Sequence, residues 1–188
     1  MRYILASKSP RRKELLSEII DNFEIITAEV DETLPEEIHP REGVEILAIR
    51  KGEAVAKANP DAIVISSDTL VELGGIPLGK PTDKADATRM LTDLSDKAHN
   101  VHTGVAIHHS GRVYSGVATT AVFFREMSNE EISDYVASGD PMDKAGSYGI
   151  QSGGGKFVEK IEGDYDTVVG LSLRLVRELL NKFEKELG

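Results

Sequence analysis

Along this chain, apolar runs of strand length alternate with segments whose apolar residues recur at helical spacing, and near the middle two strand patterns stand side by side. That order admits few folds. Strand–helix alternation builds sheets with parallel neighbours and a hairpin adds antiparallel ones, so an α/β protein with a mixed sheet is expected. "YILAS" (3–7) reads as a short buried strand. It leads into a helix with Ser9 as N-cap, Pro10 at the first helical position, and Leu15, Leu16, Ile19 and Ile20 at helical spacing. "FEIITAEV" (23–30) is a second strand, residues 40–59 a long helix, and residues 62–75 a strand running into a turn. Residues 82–95 form a helix with Ala87, Met90, Leu91 and Leu94 on its apolar face. Strands near 101–108 and 112–124 meet at "HSGR" as a hairpin, with His108 and His109 exposed on it. Ser128 and Glu131 make a capping box for a helix over 128–138, "GKFVEKIEG" is a strand region, and "LSLRLVRELLNKF" a closing helix.

The 188 residues suffice for one sizeable core or two small lobes, and without repeats or a linker they read as a single domain, 1–188. No apolar run approaches the roughly 20 residues of a membrane-spanning helix, and no cleavable signal pattern is present. A chain without cysteine has no disulfide, thiolate metal site or thiol nucleophile. A cytoplasmic address without membrane contact fits these features. A net charge of −10 argues against nucleic acid as a partner, which needs a broad basic surface. A local basic pocket for a small anion remains compatible with that field.

Such a pocket is offered at "LASKSPRRKELL", residues 5–16. A strand, a tight turn and a helix start leave backbone N–H groups unpaired, where an anion can accept from them. Arg11 and Arg12 add forked, permanently charged donors at the helix end where cations are unfavourable, a conflict that a bound anion removes. A solvated basic turn explains four charges equally well. Lys51 weighs against that blander reading, because it interrupts the apolar stripe Val44, Leu47, Ala48, Val55, Ala58. There it needs a partner or a cavity unless it snorkels. In "VISSDTLV", Ser66 to Thr69 interrupt a β-forming run, and strand ends are where α/β sheets bind ligands. Asp68 there can hold Mg²⁺ or take a proton from water, although a lone Asp more often forms a turn. Lys80 follows between Gly79 and Pro81.

The glycine-rich "GSYGIQSGGGKF" (146–157) fails as a Walker A loop, with Ile150 where a glycine is required and Phe157 at the Ser/Thr position. Gln151 in it carries donors and acceptors that can read a base edge, or serve a loop. The five histidines have no metal-site spacing, Asp164 and Asp166 read as a solvated loop, and Ser7 and Ser9 lack a nearby His–Asp system.

"LASKSPRRKELL", "VDE" (30–32), "SSDT…LGKP", "MLTDLSDKAHNVHTGVAI" and "PMDKAGSYGIQ…FVEKIEGDY…VVGL" resemble, in order, the Maf family of nucleoside triphosphate pyrophosphatases from residue 3 to about 173. The resemblance implies an elongated mixed-sheet α/β fold like that of inosine-triphosphate pyrophosphatases, with two lobes around a central cleft. It implies metal-dependent cleavage of a nucleoside triphosphate between the α and β phosphates. Asp68 matches the proton acceptor, while Ser7, Arg12, Glu32, Lys51 and Lys80 match the polar set of the cleft. Asp68, Lys51, Lys80 and Glu32 are the catalytic group; Ser7, Arg11, Arg12, Thr69 and Gln151 bind substrate; Glu32 and Asp68 are the metal ligands. Mg²⁺ is the first choice of divalent cation, Mn²⁺ or Co²⁺ the alternatives. Arg11, Thr69 and Gln151 resemble the branch acting on dTTP and UTP, with modified pyrimidine nucleotides as further substrates. A homodimer is expected at family level. The alternative functions are a nucleotide-binding regulator of cell division and a pyrophosphatase for other modified nucleotides. Lys8, Ser66, Ser172 and "SGGGK" depart from the family pattern outside the catalytic set.

Overall fold

A computed structural model describes residues 1–187. Its elements are β1 (Tyr3–Leu5), α1 (Pro10–Ser17), β2 (Glu24–Ile25), α2 (Pro40–Ala56), β3 (Ile63–Leu73), β4 (Ile76–Leu78), α3 (Lys84–Leu94) and β5 (Ala98–His109). They continue with β6 (Arg112–Phe124), α4 (Asn129–Ala137), β7 (Val158–Glu162), α5 (Tyr165–Val169) and α6 (Leu173–Leu187), with 3-10 turns between α4 and β7. The strands form one sheet in the order β2-β1-β3-β5-β6-β7, with β4 beside β3 off that path. β1 is parallel to β2 and β3, whereas β4 and β7 run antiparallel to β3 and β6, so the sheet is mixed as expected. No helix among the described residues is long and apolar enough to cross a membrane.

The chain divides into two compact units. Residues 1–69 and 103–118, with the segment from Gly170 onward, make the first; residues 70–102 and 119–169 make the second. In the first unit Ser9 caps α1, its side chain accepting from the Arg12 N–H, and Pro10 occupies the first turn, as the sequence predicts. His39 caps α2 in the same way, through the Arg41 N–H. Two glycines then let α2 lie directly on the sheet. A Cβ on Gly104 would stand 2.4 Å from the Val44 carbonyl oxygen, and one on Gly52 2.5 Å from both Ser66 Oγ and His108 Nδ1. The Ser66 hydroxyl uses the proximity to donate to Ala48 O at 2.6 Å. In the second unit the apolar face of α3 packs with Ile132, Tyr135 and Val136 of α4 over Val101, Val122 and Phe124. Tyr135 meets Phe157, and Phe124 meets Tyr148, edge to face.

Three expectations change. The strand expected over 23–30 contracts to Glu24–Ile25, because β1 offers only three residues to pair with and the ladder ends at Ile26 N–H to Leu5 O. His108 and His109 are not exposed: β5 extends through both, the His108 ring faces Gly52, and the half-buried His109 packs edge-on against Phe183 of α6. Asp164 and Asp166 are half-buried rather than solvated, since Tyr165–Val169 coils into α5 and Thr120 Oγ1 donates to Asp164 O. The glycine-rich segment folds as 3-10 turns, in which Gly146 and Ser147 take positive φ.

Candidate active site

The site grows from the point where β1 ends. Its last pair with β3 is Leu5 with Ile65, extended by the Ala6 N–H to Ile65 O. β1 then departs through Ser7–Ser9 into α1 while β3 continues to Leu73. Asp68 therefore lies in mid-strand and not at a strand end; it is the neighbouring strand that stops. Polar side chains replace it there.

Arg12 reaches back from the first turn of α1. Its Nε donates to Gly170 O at 2.8 Å, Nη2 to Thr69 Oγ1 at 3.1 Å and Nη1 to Ser7 Oγ at 3.4 Å. Every one of these acceptors is neutral, and no carboxylate among the described residues pairs with this guanidinium. Burial lowers its pKa from the ordinary arginine value, with the negative Asp68 opposing that shift. A guanidinium has five N–H donors. Three are engaged, which leaves one on each terminal nitrogen, the arrangement a bidentate phosphate or carboxylate would complete. Ser7 also accepts from the Ser9 N–H, which shapes the turn.

Lys51, the lysine inside the apolar stripe, has its side chain only 19% exposed and is paired rather than snorkelling. Its Nζ stands 2.6 Å from Asp68 Oδ1 and 3.1 Å from Glu32 Oε1. One ammonium thus holds two carboxylates that would otherwise repel each other. Asp68 is buried, whereas the Glu32 side chain is 60% exposed. Asp68 Oδ2 takes no hydrogen bond from a described residue. Such oxygens suit a hard divalent cation that completes its shell with water and phosphate oxygens. Among the described residues no three His, Cys, Asp or Glu side chains converge on one point, so these two carboxylates would share a cation with water and substrate oxygens.

Seven of the nine residues singled out in the sequence thus belong to the first unit: Ser7, Arg11, Arg12, Glu32, Lys51, Asp68 and Thr69. Arg11 is half-buried, and its side chain makes no hydrogen bond or ion pair with a described residue. Lys80 and Gln151 are exposed residues of the second unit. There the Gly146 N–H donates to Gly79 O, tying the Lys80 turn to the segment that leads to Gln151. A cavity of about 510 Å³ in the first unit, bounded by Ile49, Glu53, His108 and Arg112, contains none of the nine.

Sequence reasoning missed three supports. Thr103 Oγ1 shares a hydrogen bond of 3.0 Å with Thr69 Oγ1, and Ser67 Oγ donates at 3.1 Å to the same Gly170 carbonyl that holds Arg12. Gly170 itself, with φ at 132°, takes a backbone conformation open to glycine. A threonine inside the apolar run "VHTGVAI" was the available signal for Thr103; the role of the Gly170 carbonyl has none in sequence.

An α/β sheet with an anion-ready turn beside a lysine-bridged carboxylate pair defines the class. The Staphylococcus aureus Ham1 protein shares the fold, with a TM-score of 0.50 over 100% of this chain and 98% of that one at 18% identity. The Maf-like protein family matches residues 2–183. Relatives named dTTP/UTP pyrophosphatase from Bacillus anthracis and Bacillus cereus are 52% and 51% identical over 177 residues, 94% of this chain and 93% of each relative. The chain belongs to the Maf family.

Proposed function

We propose that this protein hydrolyses dTTP and UTP between the α and β phosphates, releasing the nucleoside monophosphate and pyrophosphate. The observation that carries the reading is Arg12: a partly buried guanidinium held, among the described residues, by neutral oxygens alone, with two donors unspent and the charge of the lysine-paired Asp68 acting on it. The names of the relatives supply the nucleotides.

In this reading the turn Ser7–Arg12 receives the phosphates. The Arg11 N–H and the free edge of Arg12 donate to phosphate oxygens, since the Ser9 and Arg12 N–H groups are already taken by Ser7 Oγ and Ser9 Oγ, and the Arg11 side chain adds charge at the same helix end. Asp68 accepts the proton of the attacking water, and Lys51 fixes that carboxylate through its 2.6 Å contact. Lys80 offsets the charge that grows on the departing pyrophosphate. No covalent intermediate is needed, since phosphoryl transfer of this kind rests on positioning and electrostatics. Glu32 and Asp68 would hold a divalent cation, Mg²⁺ first and Mn²⁺ or Co²⁺ as alternatives, which when bound neutralises phosphate charge and makes water a better nucleophile. Gln151 contacts the pyrimidine edge. Thr69 acts on selection through Arg12, because its hydroxyl already accepts from Nη2.

The test is a panel of nucleoside triphosphates with Mg²⁺, followed by separate pyrophosphate and orthophosphate measurements. UTP and dTTP should yield pyrophosphate and monophosphate in equal amounts and faster than the other common nucleotides. Orthophosphate as the main product, or no hydrolysis of any member, would overturn the reading.

A further inference from the structure

The segment that carries Gln151 is held by a closed hydrogen-bond network which the chemistry above does not use. Asp140 is its centre. Tyr135 Oη donates to Asp140 Oδ2 at 2.5 Å, Ser152 Oγ donates to the same oxygen at 2.6 Å, and Lys144 Nζ donates to Oδ1 at 3.0 Å. Tyr135 Oη in turn accepts from the Gly149 N–H at 3.1 Å. Gln151 therefore sits between two residues, Gly149 and Ser152, that are each pinned to the Tyr135–Asp140 pair. The fit leaves no slack at Gly149, where a Cβ would stand 2.5 Å from Ser152 Oγ and 2.7 Å from Lys144 Cε. Tyr135 is itself a fixed post, 3% exposed and packed edge-to-face on Phe157. Its hydroxyl is held protonated by burial first and by the Asp140 contact second, so the donor persists across the working pH range.

We propose that Tyr135, Asp140 and Ser152 are positioning residues which set base selection by preventing the Gln151 loop from retreating. The inference rests on the reading in which Gln151 contacts the base. A hydrogen-bonding side chain rejects a wrong base because that base leaves it unpaired in a desolvated place. The penalty lasts only while the side chain stays there. On a slack loop the amide would withdraw to water, the penalty would vanish, and cytosine would be accepted more nearly as uracil is. The brace is thus a specificity device that touches no substrate.

Tyr135→Phe keeps the core ring and removes the hydroxyl; the exposed Ser152→Ala is the milder second variant. Both are compared with wild type, and again in a Gln151→Ala background, by kcat/KM for UTP and CTP and by hydrogen exchange at the Gly149 amide. Tyr135→Phe should speed exchange at Gly149 by about tenfold, the loss of one hydrogen bond. The UTP-to-CTP ratio should fall by roughly three- to tenfold while kcat on UTP stays within about twofold. Ser152→Ala should move the ratio in the same direction by less. With Gln151→Ala present, neither variant should change the ratio further. Unchanged exchange at Gly149 would refute the brace. Faster exchange with an unchanged ratio, or an equal drop in both backgrounds, would refute its link to selection. A Gln151→Ala variant as selective as wild type would instead overturn the base-reading role of Gln151, whatever Gly149 exchange reports.

Discussion

Gly52→Ala adds one methyl group where α2 lies against Ser66 and His108, and it should injure both the fold and the chemistry. In an unconstrained helix the change favours folding by about 1 kcal/mol. Here the new Cβ would arrive 2.5 Å from Ser66 Oγ and His108 Nδ1 and 2.6 Å from His108 Cε1, where ordinary contact begins near 3.4 Å. Neither neighbour can retreat easily, since Ser66 is bound to Ala48 O and both side chains are buried. Overlap of this size must lift α2 from β3 by about 1 Å, and overpacking of that kind costs about 1–3 kcal/mol, sometimes more. A fall in melting temperature of roughly 2–12 °C follows for a chain of this size. Lys51 is the adjacent residue on the lifted helix. Its 2.6 Å contact with Asp68 would stretch toward the limit of a hydrogen bond, and displacements of about 1 Å can cost about a hundredfold in rate. Thermal melts and pyrophosphate release from UTP read the two effects separately. A variant that melts higher, as in a free helix, and turns over normally would refute the close seating of α2.

Arg12→Lys keeps the charge and loses the fork, so steady-state assays with UTP should show a roughly ten- to hundredfold loss in kcat/KM. Lys13→Ala, an exposed neighbour in the same basic cluster, should leave turnover nearly intact and shift the melting temperature by no more than about 2 °C. Equal losses from both would mean a diffuse field rather than a clamp. His99 is buried, and desolvation depresses its pKa to about 4, so the folded state keeps it neutral while the unfolded chain protonates it near 6.5. Its contribution to stability is therefore full above about pH 6.5 and is lost as pH falls toward 4, by an amount on the order of 3 kcal/mol. His99→Phe should flatten the dependence of melting temperature on pH across that window, and an unchanged slope would exclude His99 as its source.

The local parts of this structure were readable from neighbouring residues. Ser9–Pro10 and the reciprocal Ser128–Glu131 box are caps whose partners lie three residues away, and both form as the spacing predicts. Lys51 was legible by contradiction, as a cation in an apolar stripe that had to find a partner. Features set by distant partners were not legible. The strand over 23–30 shrank because β1 is short, a fact about another segment. His108, which faces Gly52, and His109, which packs on Phe183, are shielded by residues far away along the chain. Asp68 was placed at a strand end because the sequence marks polarity, whereas the structural event is the departure of β1. The Gly170 carbonyl, a hub for Arg12 and Ser67, is a backbone group and has no residue-type signature.

In the proposed reaction Asp68 performs the chemistry while the Arg12 turn holds the phosphates. Asp68→Asn preserves shape and removes charge and basicity, and Lys51 keeps Glu32 as a partner. Single-turnover pyrophosphate release from UTP, with nucleotide binding measured on the same preparation, tests it most directly. Release should fall by about two orders of magnitude or more while binding persists or tightens. Near-normal release would contradict the assignment of Asp68, and loss of binding in parallel with release would mean that the carboxylate organises the phosphate site rather than the reaction.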